Sequence, residues 1–288
     1  MNRATPFDGM AADYDASFTA SAIGRRMRAA TWRRLDAAFQ PGEHVLELNC
    51  GTGEDAVHLG SRGVRVLATD VSPNMVAVAR AKVERAGLAG LVDVAEIAIE
   101  DLARHPPGDG AFDGVVSNFG GLNCVADLAG VARALAALVR PGGRALLCLM
   151  GRAVPWEWAW HLAHGQPGKA LRRLRRGGAQ WRGLTIRYPA ISAVRRTFAP
   201  HFAQRRVAAI GALVPPSYAQ SWADRYPGLL AALDRWERRA ETLPPLPWLA
   251  DHYLIEFERL TIPANLPGRR FAMSQPQPRA GLRAAGLR

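Results

Sequence analysis

Lysine is almost absent from this 288-residue sequence, which contains only Lys82 and Lys169, so arginine supplies nearly all of its positive charge. Cysteine is also scarce: Cys50, Cys124 and Cys148 form an odd set without metal-ligand spacing. This scarcity excludes a disulfide-rich secreted scaffold and predicts no metal site. It favours reduced thiols in a cytosol.

Long apolar runs are missing as well. No stretch reaches the roughly 18 residues typical of a membrane-spanning helix, and residues 1–8 lack the apolar region of a secretory signal. We therefore expect a cytoplasmic protein. Apolar residues nevertheless make up 49% of the chain, which is ample for a packed core. The length suits one large domain or one domain with an insertion.

Acidic residues are scarce only in the C-terminal half. Residues 1–150 contain 15 Arg or Lys and 17 Asp or Glu, whereas residues 151–288 contain 22 and 8, so the net charge of +12 originates there. A basic half is compatible with nucleic-acid binding. No recognition-helix or single-strand-binding motif accompanies it, and we expect no nucleic-acid partner. The sequence does not indicate which oligomeric state the protein adopts.

Apolar strands alternate with amphipathic helices between residues 21 and 150. The predicted helices are 21–39, one from about 54, one from Ser72 to Gly87, and one capped by Asp127. The predicted strands are 45–48, 64–69, 92–99, 112–117 and 145–150. Continuous apolar strands separated by helices indicate an α/β fold with a mostly parallel sheet covered on both faces.

The C-terminal half is less regular. Residues 155–178 suggest two short helices, one aromatic and one basic, and a further helix is predicted at 191–198. Strands are predicted at 205–213 and 253–260, with a helical insert between them. We predict a core of residues 1–150, a basic and aromatic insertion at 151–204, closing strands at 205–262, and a disordered tail at 263–288.

A glycine-rich loop connects the first predicted strand to the next helix and has two interpretations. Gly51 and Gly53, with Asp70 nineteen residues after Gly51, fit a dinucleotide fingerprint and thus an NAD-dependent oxidoreductase. The second interpretation also uses Glu47, four residues before Gly51. A carboxylate inside a buried strand is costly unless it has a partner. A sulfonium ligand with a free ammonium group is such a partner.

Polar side chains also follow the next three predicted strands. Asp70 can accept the two hydroxyls of a ribose, although it could instead cap the following helix. Glu100 and Asp101 are suited to an adenine amine, and Asn118 to a position beside a reacting methyl group, unless it merely closes a turn. Because parallel strands place their carboxyl ends at one edge of a sheet, these groups should converge in one crevice.

The segment Val45–Ala56 resembles motif I of class I S-adenosylmethionine (SAM)-dependent methyltransferases, in particular the type-11 group of small-molecule enzymes. Later segments are similar in order to the group's further motifs: 67–75, 99–102, 112–118 and 140–144, with a leader at 7–15. The resemblance implies a Rossmann-like sheet of seven strands, SAM as cofactor, and a small organic acceptor methylated on oxygen or carbon. The implied cofactor contacts are Tyr14, Glu47, Asn49, Cys50, Gly51, Gly53, Asp70, Val71, Met75, Glu100, Asp101, Leu102, Asn118 and Phe119.

One residue departs from the family's motif I, and one segment outside the motifs has two possible roles. Asn49 replaces a usual glycine, which either adds a contact near the cofactor or tightens the turn. The segment 156–176 combines tryptophans with arginines. It is expected to form a lid over the substrate, or to contact a membrane surface or lipid. A non-catalytic module of the same fold, binding a partner through its basic half, is the remaining alternative. No residue is identified as a general base.

Overall fold

A computed structural model describes residues 5–104 and 112–261 of the chain. Seven strands form one sheet in the order β3-β2-β1-β4-β5-β9-β8, and β6 pairs with β7 in a separate hairpin. The strands are β1 His44–Leu48, β2 Arg65–Asp70, β3 Val92–Glu96, β4 Phe112–Ser117, β5 Val139–Met150, β6 Ala179–Trp181, β7 Leu184–Ile186, β8 Phe202–Ile210 and β9 His252–Arg259. The helices are α1 Ala22–Ala38, α2 Glu54–Ser61, α3 Pro73–Arg85, α4 Leu128–Leu138, α5 Pro155–Ala163, α6 Pro167–Ala170, α7 Ile191–Phe198, α8 Gln220–Arg225 and α9 Pro227–Ala240.

The direction of the strands confirms the predicted fold. Strands β1 to β5 are parallel to one another, while β9 runs antiparallel to both β5 and β8. The order of the parallel strands reverses between β1 and β4, so a crevice opens at their carboxyl ends. The antiparallel β9 brings its amino end, at His252, to this same edge of the sheet, opposite Met150.

Helices cover both faces of the sheet and bury two apolar clusters. One cluster joins α1, α2, α3 and α8 to the face that includes Val45. The other joins α4 and α7 to the face that includes Leu46 and Leu48. Alternation along β1 therefore places the Glu47 side chain on the same face as Val45, toward α1 and α2.

The helix starts follow from local sequence. Ser21, Ser72 and Asp127 each accept a hydrogen bond from a backbone N–H in the first turn of α1, α3 and α4. Such caps satisfy donors that the helix itself leaves free. Two of these caps, Ser72 and Asp127, were predicted from the sequence, and both predictions are confirmed.

The third strand is shorter than predicted. β3 ends at Glu96, not at Ile99, and residues 99–104 form a 3₁₀ turn that contains Glu100 and Asp101. The backbone N–H of Ile97 donates to the Asp70 carbonyl, after which β2 offers no further partner. The ladder therefore stops, and the predicted position of these two acids at the strand end is wrong.

The C-terminal half differs from prediction in three places. β8 begins at Phe202 and ends at Ile210, three residues earlier than the predicted strand 205–213 at each end. The hairpin β6–β7 was not predicted, because two three-residue strands show too little alternation. The second, basic helix is also shorter than predicted: α6 is followed only by a 3₁₀ turn, Arg172–Leu174.

Within the described residues, no helix is long and apolar enough to cross a membrane. The predicted tail at 263–288 lies outside the described residues, as do residues 1–4 and 105–111.

Candidate functional site

The loop between β1 and α2 presents backbone to an open crevice. Gly51 and Gly53 have φ angles of 54° and 78°, in the left-handed region that favours glycine. A Cβ added to Gly51 would have no atom within 4 Å, whereas one on Gly53 would lie 2.9 Å from the Cβ of Ala79. Gly53 therefore permits close packing on α3, and Gly51 leaves the loop accessible to a ligand.

Glu47 is a buried carboxylate, with an exposed fraction of 2%. Its Oε2 has no hydrogen-bond partner among the described residues. Burial raises the pKa of Glu47 well above its usual range, and the negative charges of Asp55 and Asp70 act in the same direction, while Arg28 opposes them. A buried acceptor without a donor is costly, so this position is suited to a ligand that supplies a donor or a positive charge.

Asp70, at the end of β2, connects the glycine loop to the start of α3. Its Oδ2 accepts from the Gly51 N–H and its Oδ1 from the Ser72 N–H, each at 2.9 Å. Burial raises the pKa of Asp70, and these backbone hydrogen bonds oppose the shift. Each carboxylate oxygen can accept a further hydrogen bond. The side chain can therefore order the loop and still accept from ligand hydroxyls.

The leader before α1 packs over this loop. Asp15 accepts from the hydroxyl of Thr52 at 2.7 Å and pairs with Lys82 at 2.6 Å, and Lys82 also contacts Glu54. Tyr14 is half-buried, and desolvation raises the pKa of its hydroxyl although Arg28 acts against the shift. The resemblance placed Tyr14 over the cofactor, and the leader does lie at the carboxyl edge of β1 and β2.

A buried polar network joins α1, α2 and the end of β4. Asp55 accepts from Arg28 at 3.0 Å, from the indole of Trp32 at 2.6 Å and from the side-chain amide of Asn118 at 2.9 Å. The same Asn118 amide also donates to Thr31 at 3.1 Å. The structure thus holds Asn118 in a network beside Glu47 rather than leaving its amide free.

Sequence analysis missed the other members of this network. Arg28, Thr31 and Trp32 share one face of α1, because residues three and four apart are neighbours on a helix. Arg28 is buried, with an exposed fraction of 5%, although arginine is usually found at the surface. Arg28 and Thr31 are polar residues three positions apart within the apolar stripe of α1, and this pattern could have indicated a buried polar network.

Asn49 tightens the turn after β1. Its side-chain amide donates to the Asn118 carbonyl at 3.0 Å, and its Oδ1 accepts from the Ser117 hydroxyl at 2.7 Å. A Cβ added to Gly121 would lie 2.0 Å from the Asn49 Cγ. Of the two roles expected for Asn49, these hydrogen bonds favour the tighter turn, which they link to the end of β4.

The remaining predicted contacts lie around the same edge. Met75 and Leu102 are buried, Val71 and Glu100 are exposed, and Asp101 is half-buried. Cys50 is buried, and desolvation raises the pKa of its thiol well above the usual range, as expected of a packing residue and not of a nucleophile.

Aromatic rings extend the site from the leader toward β9. Phe119 follows Asn118, and its ring centroid lies 5.1 Å from that of Phe18 and 5.7 Å from that of His252. Phe119 thus connects the cofactor side of the crevice to the edge formed by β5 and β9.

His252 is a buried basic side chain beside Phe119. Neither of its ring nitrogens has a hydrogen-bond partner among the described residues, although Nδ1 lies 3.1 Å from a carboxylate oxygen of Asp251. Burial alone would raise the pKa of Asp251, but Arg173 and His252 hold it well below its usual range. His252 therefore brings an imidazole, which the sequence did not single out, to this end of the crevice.

Comparisons with known proteins agree with this site. Residues 45–143 match the family model described as a methyltransferase domain. Demethylmenaquinone methyltransferase from Mycolicibacterium vanbaalenii is 37% identical over 147 residues, which are 50% of this chain and 58% of that protein. The chain therefore spans little more than half the length of this relative.

Solved structures with low sequence identity show the same fold. An S-adenosylmethionine-dependent methyltransferase from Mesorhizobium loti matches with a TM-score of 0.52 and 20% identity, covering 80% of this chain and 98% of that one. Geranyl diphosphate C-methyltransferase from Streptomyces coelicolor matches with a TM-score of 0.54 and 16% identity, covering 82% and 80%. Residues 45–143 thus match a methyltransferase domain, and the solved structures confirm that the chain has the predicted fold.

Proposed function

We propose that the whole chain transfers a methyl group from SAM to an oxygen or carbon atom of a small organic molecule. The unpartnered Oε2 of Glu47, buried beside the glycine loop, is the observation that carries this proposal. An oxidoreductase that used the same loop for NAD would have no need of that carboxylate.

The residues at the crevice fit SAM. Glu47 would accept from the ammonium group of the cofactor, which supplies the missing donor. Asp70 would accept from the ribose hydroxyls, and Gly51 would let the backbone of the loop approach the cofactor. Tyr14 would cover the cofactor, and Glu100, Asp101 and Leu102 would lie beside the adenine. The other predicted contacts, Asn49, Cys50, Gly53, Val71, Met75, Asn118 and Phe119, would shape the same crevice.

When bound, SAM supplies a methyl group on a positively charged sulfur, and that sulfur is the leaving group when an acceptor atom attacks the methyl carbon in line. The chain's contribution is to hold the two reactants and exclude water, and orientation of this kind is worth roughly 7–11 kcal/mol in favourable cases. Phe18 and Phe119 form an aromatic wall between leader and β4 for this purpose. An acceptor hydroxyl would also need to lose a proton, and our candidate for accepting it is His252, whose ring contacts Phe119.

We infer an amphipathic acceptor with an apolar body. The relative named above acts, by its name, on demethylmenaquinone, and the C-terminal half of this chain presents several aromatic side chains. Trp156 and Trp160 on α5 contact Trp222 and Tyr218 of the segment that follows β8. We propose that residues 151–204 form a lid over this acceptor, with residues 205–262 closing the sheet. Contact of 156–176 with a membrane or lipid is the alternative.

Calorimetric titration of the full chain with SAM, with its demethylated product S-adenosylhomocysteine, and with NAD tests the cofactor assignment. We expect SAM and the product to bind and NAD not to bind. Glu47→Gln should weaken SAM binding by about 1.5–3 kcal/mol, because it removes a charge-assisted hydrogen bond. Glu84→Gln, an exposed carboxylate on α3, is the matched control and should leave binding unchanged.

Tight NAD binding without a response to SAM would establish the oxidoreductase instead. SAM binding without methyl transfer from labelled SAM to any of a panel of quinols, phenols and isoprenoids would support the non-catalytic module.

A further inference from the structure

A cavity of about 680 Å³ lies apart from the glycine loop, at the carboxyl ends of β4 and β5. Leu122 and Val125, which follow β4, line one side, and Arg152 enters two residues after β5. The first residues of α4 and the segment Arg187–Pro189 complete the wall. Its volume is in the range of sites for small organic ligands.

The cavity is strongly basic. Four arginines line it, namely Arg152, Arg175, Arg176 and Arg187. No carboxylate of the described residues forms an ion pair with any of these four guanidinium groups. The single carboxylate in the lining is Asp127, which accepts from the Gly130 N–H at 2.8 Å as the cap of α4. The N-terminus of α4 adds a further partial positive charge.

Part of this wall is anchored to the sheet. Asn123 is fully buried and its Oδ1 accepts from the Met150 N–H at 2.9 Å, while its carbonyl accepts from the Arg187 N–H at 2.8 Å. The Tyr253 hydroxyl donates to the Pro189 carbonyl at 3.0 Å. Arg187 and its neighbours are thereby fixed to the ends of β5 and β9, so the cavity is a built feature of the fold.

One short turn separates the cavity from the cofactor crevice. The 3₁₀ turn Gly121–Cys124 places Gly121 against Asn49 of the glycine loop. The next residue, Leu122, lines the cavity. The cavity therefore borders the turn that packs against the glycine loop.

We propose that this cavity binds the anionic head group of the acceptor, a phosphate or diphosphate carried on an apolar body. Guanidinium groups suit phosphate oxygens because their N–H donors match them in a bidentate geometry. Leu122, Val125 and Leu128 offer the apolar contact for the rest of the molecule. This inference rests on the proposed function, because it identifies the ligand as the methyl acceptor.

Binding of 1-naphthyl phosphate to the full chain, compared with 1-naphthol, tests the inference in the presence of S-adenosylhomocysteine. We expect saturable binding of the phosphate and at least about tenfold weaker binding in Arg175→Glu/Arg176→Glu, since a charge-assisted contact is lost and repulsion added. Arg195→Glu/Arg196→Glu, two exposed arginines of α7 outside the cavity, carries the same charge change and should bind like wild type.

A second arm distinguishes a free phosphorylated molecule from a lipid head group. Vesicles of phosphatidylcholine with and without phosphatidic acid are sedimented with each variant. Loss of binding to the acidic vesicles only in the Arg175/Arg176 variant supports the inference with a lipid as the source. Equal effects of both double variants on both probes, or no saturable binding of either probe, would overturn it.

Two further measurements keep the outcomes separable. Thermal melting confirms that each double variant is folded, which is expected because all four side chains are exposed. Calorimetry with S-adenosylhomocysteine tests the proposed function independently. If the nucleoside fails to bind while 1-naphthyl phosphate still discriminates between the variants, the methyltransferase proposal fails and the anion site stands.

Discussion

At the scale of single residues, the burial of Glu47 makes the stability of the ligand-free protein depend on pH. Burial raises its pKa in the folded state above the ordinary value of 4.5. The folded protein therefore retains this proton at a pH at which the unfolded chain has lost it. The stability contributed by protonated Glu47 is complete below the unfolded pKa and is lost as pH rises toward the folded pKa.

Glu47→Gln should remove the loss of stability that wild type shows as pH rises, because glutamine does not ionise. We expect the free energy of unfolding of the variant, relative to wild type, to increase between about pH 4.5 and neutrality, by about 1.4 kcal/mol for each unit of the raised pKa. Urea denaturation at several pH values measures it. Glu84→Gln is the control and should show no such trend. An equal pH trend in the two variants would mean that Glu47 is not buried as a carboxylic acid.

At the scale of elements, a buried ion-pair cluster holds the C-terminal half to the sheet. Arg173 lies in the 3₁₀ turn after α6, pairs with Glu157 of α5 at 2.7 Å and with Asp251 before β9 at 2.6 Å, and donates to the Gly151 carbonyl. Its side chain is 7% exposed, so the basic segment is not a solvated surface throughout. Arg172 supports the cluster through Glu157.

Arg173→Met should destabilise the protein by about 3–5 kcal/mol, because it removes the buried cation that Glu157 and Asp251 share. Chemical denaturation measures the difference. Arg238→Ala, which removes an exposed pair with Asp234 on α9, should cost about 0.5 kcal/mol or less. If the two variants lose similar stability, the Arg173 cluster does not anchor the predicted lid.

At the scale of the whole molecule, the proposed cofactor site links several elements that are distant in sequence. The leader, α1, α2, and the ends of β1, β2 and β4 all meet at one crevice. A ligand that binds only the folded chain stabilises all of these elements together.

S-adenosylhomocysteine should therefore raise the free energy of unfolding of the entire chain. At a concentration about 100 times its Kd, the expected increase is about 2.7 kcal/mol. Denaturation with and without the nucleoside measures this effect, and NAD at equal concentration serves as the comparison. A comparable increase with NAD would contradict the cofactor assignment, and an effect restricted to part of the unfolding transition would contradict the cooperative site.

Much of the fold and several site residues followed from sequence alone. Five apolar strands, the caps at Ser72 and Asp127, and the positions of Glu47 inside β1 and of Asp70 at the end of β2 depend on neighbours within a few residues. Local periodicity and turn chemistry determine such features. The length of β3 was wrong because a strand ends where its partner stops offering hydrogen bonds, which is not a local property.

Only the tertiary structure decided which polar residues meet. Arg28, Asp55 and Asn118 are separated by up to 90 residues, and their network exists because α1, α2 and β4 pack together around Glu47. His252 reaches the crevice for the same reason, since β9 runs antiparallel to β5 and returns its amino end to the carboxyl edge. The scarcity of lysine and the basic C-terminal half were evident from the sequence. Only the tertiary structure showed where those arginines lie: Arg173 is buried in an ion-pair cluster, whereas Arg175 and Arg176 line an open cavity. The reason is that the burial of a charge depends on partners from other elements.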